Sequence, residues 1–188
     1  MMFQRRFIAF IFLLAMPPLG CHIPNEAPIL NKGDNTLVRK LDAIILTAND
    51  LPTMRVDTSS VFRIGGFAEE PSTVDGLLHY WDGTQPQEHI AVRYCLFHSV
   101  ADAKKAANQW QRFVGAEAFF EPEPNAEDVI GDATWRVPNK ASIWFVKNNV
   151  LVHIMARRPK INQLTLTRSV ARKVEAKINA ALNRSHIE

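Results

Sequence analysis

Cys95 and the histidines are the first residues in this 188-residue chain whose types could do chemistry. A thiol becomes a nucleophile when an imidazole within hydrogen-bond reach takes its proton. Cys95 and His98 stand three apart in a run of β-formers, so they point to opposite faces of a strand. His89 shares the Cys95 face, but six residues of extended chain set it about 20 Å away. The spacing therefore predicts a buried free thiol that packs as a small hydrophobe. His79, His89, His98 and His153 show neither the His-x-His nor the His-x-x-x-His spacing that presents two metal ligands on one element, and there is no Cys-x-x-Cys, so no metal or cofactor is expected. His153 reads instead as the cross-strand partner of Trp144.

Carboxylates are the next candidates. Glu121, Glu123, Glu127 and Asp128 could supply a pair for glycoside hydrolysis or ligands for calcium. They lie on a Pro-rich stretch without an Asp-x-Asp-x-Asp-Gly register, which reads as solvated loop charge. A hydrolase cleft would need His79, His89, Glu121 and Asp128 to converge. Trp81, Trp110 and Trp135 could line a sugar-binding face, yet Trp110 falls on the apolar stripe of a helix and Trp135 inside a strand, so both are expected in the core. Arg168, Arg172, Lys173 and Lys177, with Arg157, Arg158 and Lys160, form the strongest surface feature. They define either a solvated helix face or a contact for an anionic surface such as lipid headgroups or an acidic envelope protein, where each cation contributes about 1 kcal/mol near charged lipid.

The overall balance of 22 basic and 19 acidic residues gives a formal charge of +3. Setting aside Arg5 and Arg6 leaves 20 basic residues against 19 acidic, which gives no argument for nucleic acid as a partner. Charge is segregated, however: positions 117–132 hold six acidic residues and no basic one, whereas 157–188 hold eight basic and two acidic.

These residues must be positioned by a mixed set of elements. Leu37, Val38, Leu41, Ile44, Ile45 and Ala48 follow helical spacing, with Asp34 placed to cap, and predict a helix over 37–48, although 43–46 would also suit a buried strand. Runs at 61–67, 74–81 and 88–98 read as successive antiparallel strands, with a hairpin signal at Asp82-Gly83. Ser99 and Asp102 form a capping box ahead of Ala103, Ala106, Ala107, Trp110, Phe113 and Val114, which trace one helix face. Gly131-Asp132 opens a strand over 133–137. The runs 141–147 and 150–156, joined by Asn148-Asn149, predict a hairpin that pairs Phe145 with Val152, Ile143 with Ile154, Val146 with Leu151 and Trp144 with His153. Both of its faces are apolar, so it belongs in the middle of a sheet covered on both sides. A last helix over 164–182 turns Val170, Ala171, Val174, Ile178, Ala181 and Leu182 inward. The fold class expected is α+β: one domain over 34–188, with an antiparallel sheet of about five to six strands flanked by about three helices.

Residues 1–20 have a different character. Arg5 and Arg6 precede a ten-residue apolar run from Phe7 to Met16, then Pro17-Pro18-Leu19-Gly20 and Cys21. A basic start, a short apolar core and a small residue before the cut are the parts of a secretory signal peptide. The run is about half of the roughly 20 residues that span a bilayer. Leu19-Gly20-Cys21 resembles the lipobox of bacterial lipoproteins, in which a peptidase cuts before a cysteine that already carries a diacylglyceryl group. This chain has Pro18 and Leu19 where that family usually has leucine and a small residue, so cleavage by an ordinary signal peptidase stays open. The resemblance implies export, lipidation of Cys21, and anchorage to a bacterial membrane facing the periplasm or the cell surface. Residues 21–33, rich in Pro and Asn, then read as a flexible tether. A disulfide between Cys21 and Cys95 is the alternative use of that cysteine. The mature part, with Leu46-Thr47-Ala48-Asn49-Asp50-Leu51-Pro52, the Ser99 helix and the Asn-Asn hairpin ahead of a terminal helix, looks like small extracytoplasmic α+β domains of lipoproteins and sensor proteins. That likeness implies fold and location and assigns no catalytic residue.

Overall fold

A computed structural model describes residues 37–57, 62–63, 73–84, 88–114, 121–122, 128–137, 141–157 and 163–185. Residues 1–33, to which the sequence reading assigns a signal segment, Cys21 and a tether, lie outside them, as do Asp34, Glu123, Glu127, Arg158 and Lys160. Among the described residues eight strands make one antiparallel sheet: β1 (Arg55–Val56), β2 (Phe62–Arg63), β3 (Thr73–Asp82), β4 (His89–Phe97), β5 (Glu121–Pro122), β6 (Ala133–Val137), β7 (Ser142–Lys147) and β8 (Val150–Arg157). Their order is β1-β3-β4-β8-β7-β6-β5, with β2 also pairing with β3. Strands β1, β2 and β5 are only two residues long, so five strands carry the sheet. The helices are α1 (Val100–Val114) and α2 (Gln163–Ser185).

Alternation places the two helices on opposite faces of the sheet. Ile90, Val92, Tyr94 and Leu96 of β4, Phe145 of β7, and Val152 and Ile154 of β8 form one core with Val170, Ala171, Val174, Ile178 and Ala181 of α2. Cys95, Phe97, Trp144, Val146 and Leu151 form a second core with Ala103, Ala106 and Ala107 of α1, where small side chains let the helix approach closely. The result is a helix, sheet, helix sandwich among the described residues.

The hairpin takes the expected register, Ile143 to Ile154, Trp144 to His153, Phe145 to Val152 and Val146 to Leu151. It sits in the middle of the sheet and contacts both helices. Asn148 has φ 56°, the one positive φ among the described non-glycine residues. Asn149 does not share it, so the turn has the sign pattern of a type II′ turn instead of type I′. The Asn149 side chain is committed elsewhere: its Oδ1 accepts from the Val38 N–H at 2.9 Å, and its Nδ2 donates to the carbonyls of Val38 at 3.0 Å and Phe97 at 2.8 Å.

Helix α1 begins as its sequence demands. Ser99 Oγ accepts the Asp102 N–H at 3.1 Å and donates to Asp102 Oδ2 at 2.7 Å, which satisfies an N-terminal donor. The helix expected over 37–48 is not formed. A single 3-10 turn, Leu41–Ala43, replaces it, and the helix count among the described residues is two α-helices, not three. Backbone groups that a helix would have used are taken by distant partners: Val38 by Asn149, and the Leu46 N–H by the Tyr94 hydroxyl at 3.3 Å. Leu37, Val38, Leu41, Ile44, Leu46, Leu51 and Met54 are all buried, so this segment is a strap closing the α2 face beside the helix.

The turn before β6 requires its glycine. Gly131 has φ 73°, and a Cβ there would stand 2.3 Å from the Val146 carbonyl oxygen. Its N–H donates to Glu175 Oε1 at 2.7 Å, tying the turn to α2.

Candidate functional site

The cations of α2 divide into two groups. Lys177 Nζ lies 2.9 Å from Asp50 Oδ2, and Arg168 lies 3.3 Å from Asp128. Both join α2 to other parts of the fold. Asp50 Oδ2 also accepts the Thr47 N–H at 2.7 Å and the Thr47 hydroxyl at 2.8 Å. Burial pushes its carboxyl pKa up, but the Thr47 hydrogen bonds and the Lys177 charge outweigh that and hold it below the usual range. Arg172 and Lys173 face solvent, with Arg172 reaching Glu175 at 3.8 Å along the helix. The four expected contact residues thus give two outward cations and two that brace the fold.

The carboxylates and histidines proposed for a hydrolase cleft are dispersed. His79 lies on the α2 face of β3, whereas His89 lies on the α1 face at the start of β4, opposite Asp82 and Arg157. Asp128 is engaged by Arg168, and Glu121 sits on β5, five strand positions from β3, which is roughly 24 Å at the usual strand spacing. Among the described residues no three His, Cys, Asp or Glu side chains gather as a metal site would require. Trp81 is buried on the α2 side, and Trp110 and Trp135 border the α1 core, so the three do not share a face. Cys95 is a free, buried thiol. Burial, countered by Arg93 and aided by Asp75, pushes it up to about 12, so it stays protonated and inert.

A different cluster, only partly legible in the sequence, is assembled on the α1 face. Register puts Arg93 of β4, His153 of β8, Trp144 of β7 and Trp135 of β6 in one row across the sheet. The Trp144 and His153 rings stack 3.8 Å apart at 7°. Trp110 descends from α1 to stack on Trp144 at 5.3 Å, and the Arg93 guanidinium lies 5.9 Å from the Trp110 ring centroid. Ser142 Oγ is 2.8 Å from His153 Nε2. The Trp144–His153 pair followed from the hairpin register. Ser142, two residues from Trp144 on the same face, could have been found by the same alternation. The arrival of Trp110 depends on how α1 packs.

A serine and a histidine at this distance invite a nucleophile and base assignment, which the surroundings oppose. Burial and the Arg93 charge bring His153 down to about 3, so it is a weak base at neutral pH. Ser142 is 2% exposed, closed to a substrate. The bond fixes the imidazole in place. On the other face, His79 and Trp81 approach to 5.0 Å, and burial also lowers the His79 pKa.

No protein-family model, curated protein or solved structure matches this chain.

Proposed function

We propose that the protein is an exported lipoprotein of a bacterial envelope, held to a membrane through Cys21 and serving a binding or assembly role through one α+β domain over 34–188. The observation that carries the reading is the order of parts in residues 1–21, a basic start, a short apolar run and Leu19-Gly20-Cys21. Among the described residues no helix is long and apolar enough to cross a membrane. Acyl chains supply anchorage without a span, because each buried methylene contributes roughly 0.8 kcal/mol. Cys21→Ser is expected to abolish salt-resistant membrane association while leaving the sheet intact. Mass spectrometry of the mature protein should find an acylated N-terminal cysteine, and an unmodified terminus elsewhere overturns the reading.

The outward cations of α2 support contact with an anionic surface. Unacylated Cys21→Ser protein is expected to bind anionic vesicles at low salt and to release them as salt rises from about 50 to about 300 mM, because screening shortens the reach of exposed charge. Adding Arg172→Gln and Lys173→Gln should weaken that binding with little change in stability, since exposed charges contribute under about 1 kcal/mol to folding. Arg168→Gln and Lys177→Gln should instead lower stability modestly by releasing Asp128 and Asp50. Failure of the parent protein to bind at low salt removes the membrane-contact role and leaves this face either simply solvated or reserved for an acidic protein partner.

A further inference from the structure

His153 occupies the middle of a three-member row, with Arg93 on one neighbouring strand and Trp144 on the other. Trp110 touches both outer members, stacking on Trp144 and lying beneath the Arg93 guanidinium. Trp110 therefore ties α1 to the two residues that flank the imidazole on its neighbouring strands. We propose that this row is an acid-sensitive latch for the C-terminal half of α1: proton uptake by His153 beside Arg93 releases Trp110 and lifts the helix end from the sheet.

The charged and titratable groups around the imidazole support this direction. On β4, Arg93 is the direct cross-strand neighbour and Cys95 the diagonal one, and the Cys95 thiol stays neutral. On β7 the neighbours are Ser142 and Trp144, which do not titrate. From α1, Trp110 is neutral, and Lys104 and Lys105 are exposed on its solvent side. Asp75 of β3 acts on the Cys95 thiol, whereas the charge that acts on the imidazole is that of Arg93. His153, Arg93 and Trp110 are each partly buried, and a second cation in this row would face Arg93 across one strand spacing, where like charges repel more strongly than in open water. Opening α1 admits water to both.

The sign follows from linkage. In the closed form His153 titrates at about 3, and once water reaches it the ordinary value of 6.5 applies. Above pH 6.5 both forms are neutral and the latch is at full strength. As pH falls below 6.5 the open form takes a proton that the closed form refuses, so the opening constant rises, by about 25-fold between pH 7 and pH 5.

Amide hydrogen exchange of the full chain, corrected for the intrinsic rate at each pH, tests this. The α1 amides around Asn108 and Trp110 should open with a constant at least tenfold above that of α2, and this constant should climb on the order of 20-fold from pH 7 to pH 5. His153→Gln, which keeps a partner for Ser142, and His153→Phe, which keeps the ring on Trp144, should each reduce that climb to less than about twofold. A flat α1 response in the wild type overturns the proposal. So does one opening constant shared by α1 and α2 at both pH values, because the pH dependence then belongs to global unfolding. A folded His153→Gln protein that retains the climb overturns it as well. Should neither variant fold, the comparison of α1 with α2 in the wild type decides.

Discussion

Phe145→Ala is expected to destabilise the fold by about 3 to 5 kcal/mol, a large fraction of the stability of an ordinary domain. Phe145 is 0% exposed and sits on the α2 face of the central hairpin, between Val152 on β8 and Thr134 on β6. Its ring also lies against the Gly131 turn, where Cδ2 would be 3.0 Å from an added Cβ. Truncation leaves a void walled by the sheet, the turn and α2, elements fixed by Thr134, which bonds the Ile130 N–H at 2.6 Å, and by Glu175 on Gly131. Such walls cannot collapse inward, which places the cost toward the upper end. Urea denaturation measures it, with Phe145→Leu as a milder partner costing about 1 to 1.5 kcal/mol. A loss below about 1 kcal/mol for the alanine variant would show the burial to be wrong.

Asn149→Ala should cost nearly as much for a different reason. The wild-type amide makes three hydrogen bonds to Val38 and Phe97 from a site of 0% exposure. Alanine strands three backbone groups, and each buried group left unsatisfied costs about 1 to 3 kcal/mol, less where water gains access. A loss of roughly 3 kcal/mol follows. It should come with a local signature, because the strap loses its clip: limited proteolysis should cut within residues 37–54 faster than in Phe145→Ala at matched stability. Equal cleavage in the two variants, or a loss under about 1 kcal/mol, would mean that Asn149 does not hold the strap.

Elements whose signals are local were legible in the sequence. The β7–β8 hairpin announces itself through two apolar runs and an Asn-Asn turn, and α1 through Ser99, Asp102 and its alanine stripe. Where the structure departs, a distant partner has won. Residues 37–48 carry a helical spacing, but Asn149 lies 111 positions from Val38, and Tyr94 lies 48 from Leu46. Period alone cannot weigh such bonds against a helix whose Ile44 and Ile45 are weak formers. Two asparagines would suit a type I′ turn, but only Asn148 takes a positive φ, and the Asn149 amide serves the strap. Of the α2 cations, Arg172 and Lys173 are exposed as helical spacing suggests, whereas Arg168 and Lys177 are half-buried. That Lys177 and Arg168 would meet Asp50 and Asp128 depends on where two loops land, which no helical wheel contains. The row of Arg93, His153 and Trp144 was half visible, since its β7–β8 part follows from one hairpin whereas its β4 part needs the pairing of strands far apart in the chain.

That last pairing, β4 with β8, governs when the molecule can begin to exist. His89 pairs with Arg157 and Leu96 with Val150, so the seam at the centre of the sheet joins segments with α1 and three further strands between them. Before β8 is made, β4 has β3 on one side and an open row of backbone donors and acceptors on the other. The interior of the sheet therefore waits for the C-terminal third of the chain, and folding is dominated by contacts that are slow to close. A chain emerging N-terminus first spends that interval with an apolar strand edge uncovered. It is then vulnerable to pairing with another copy.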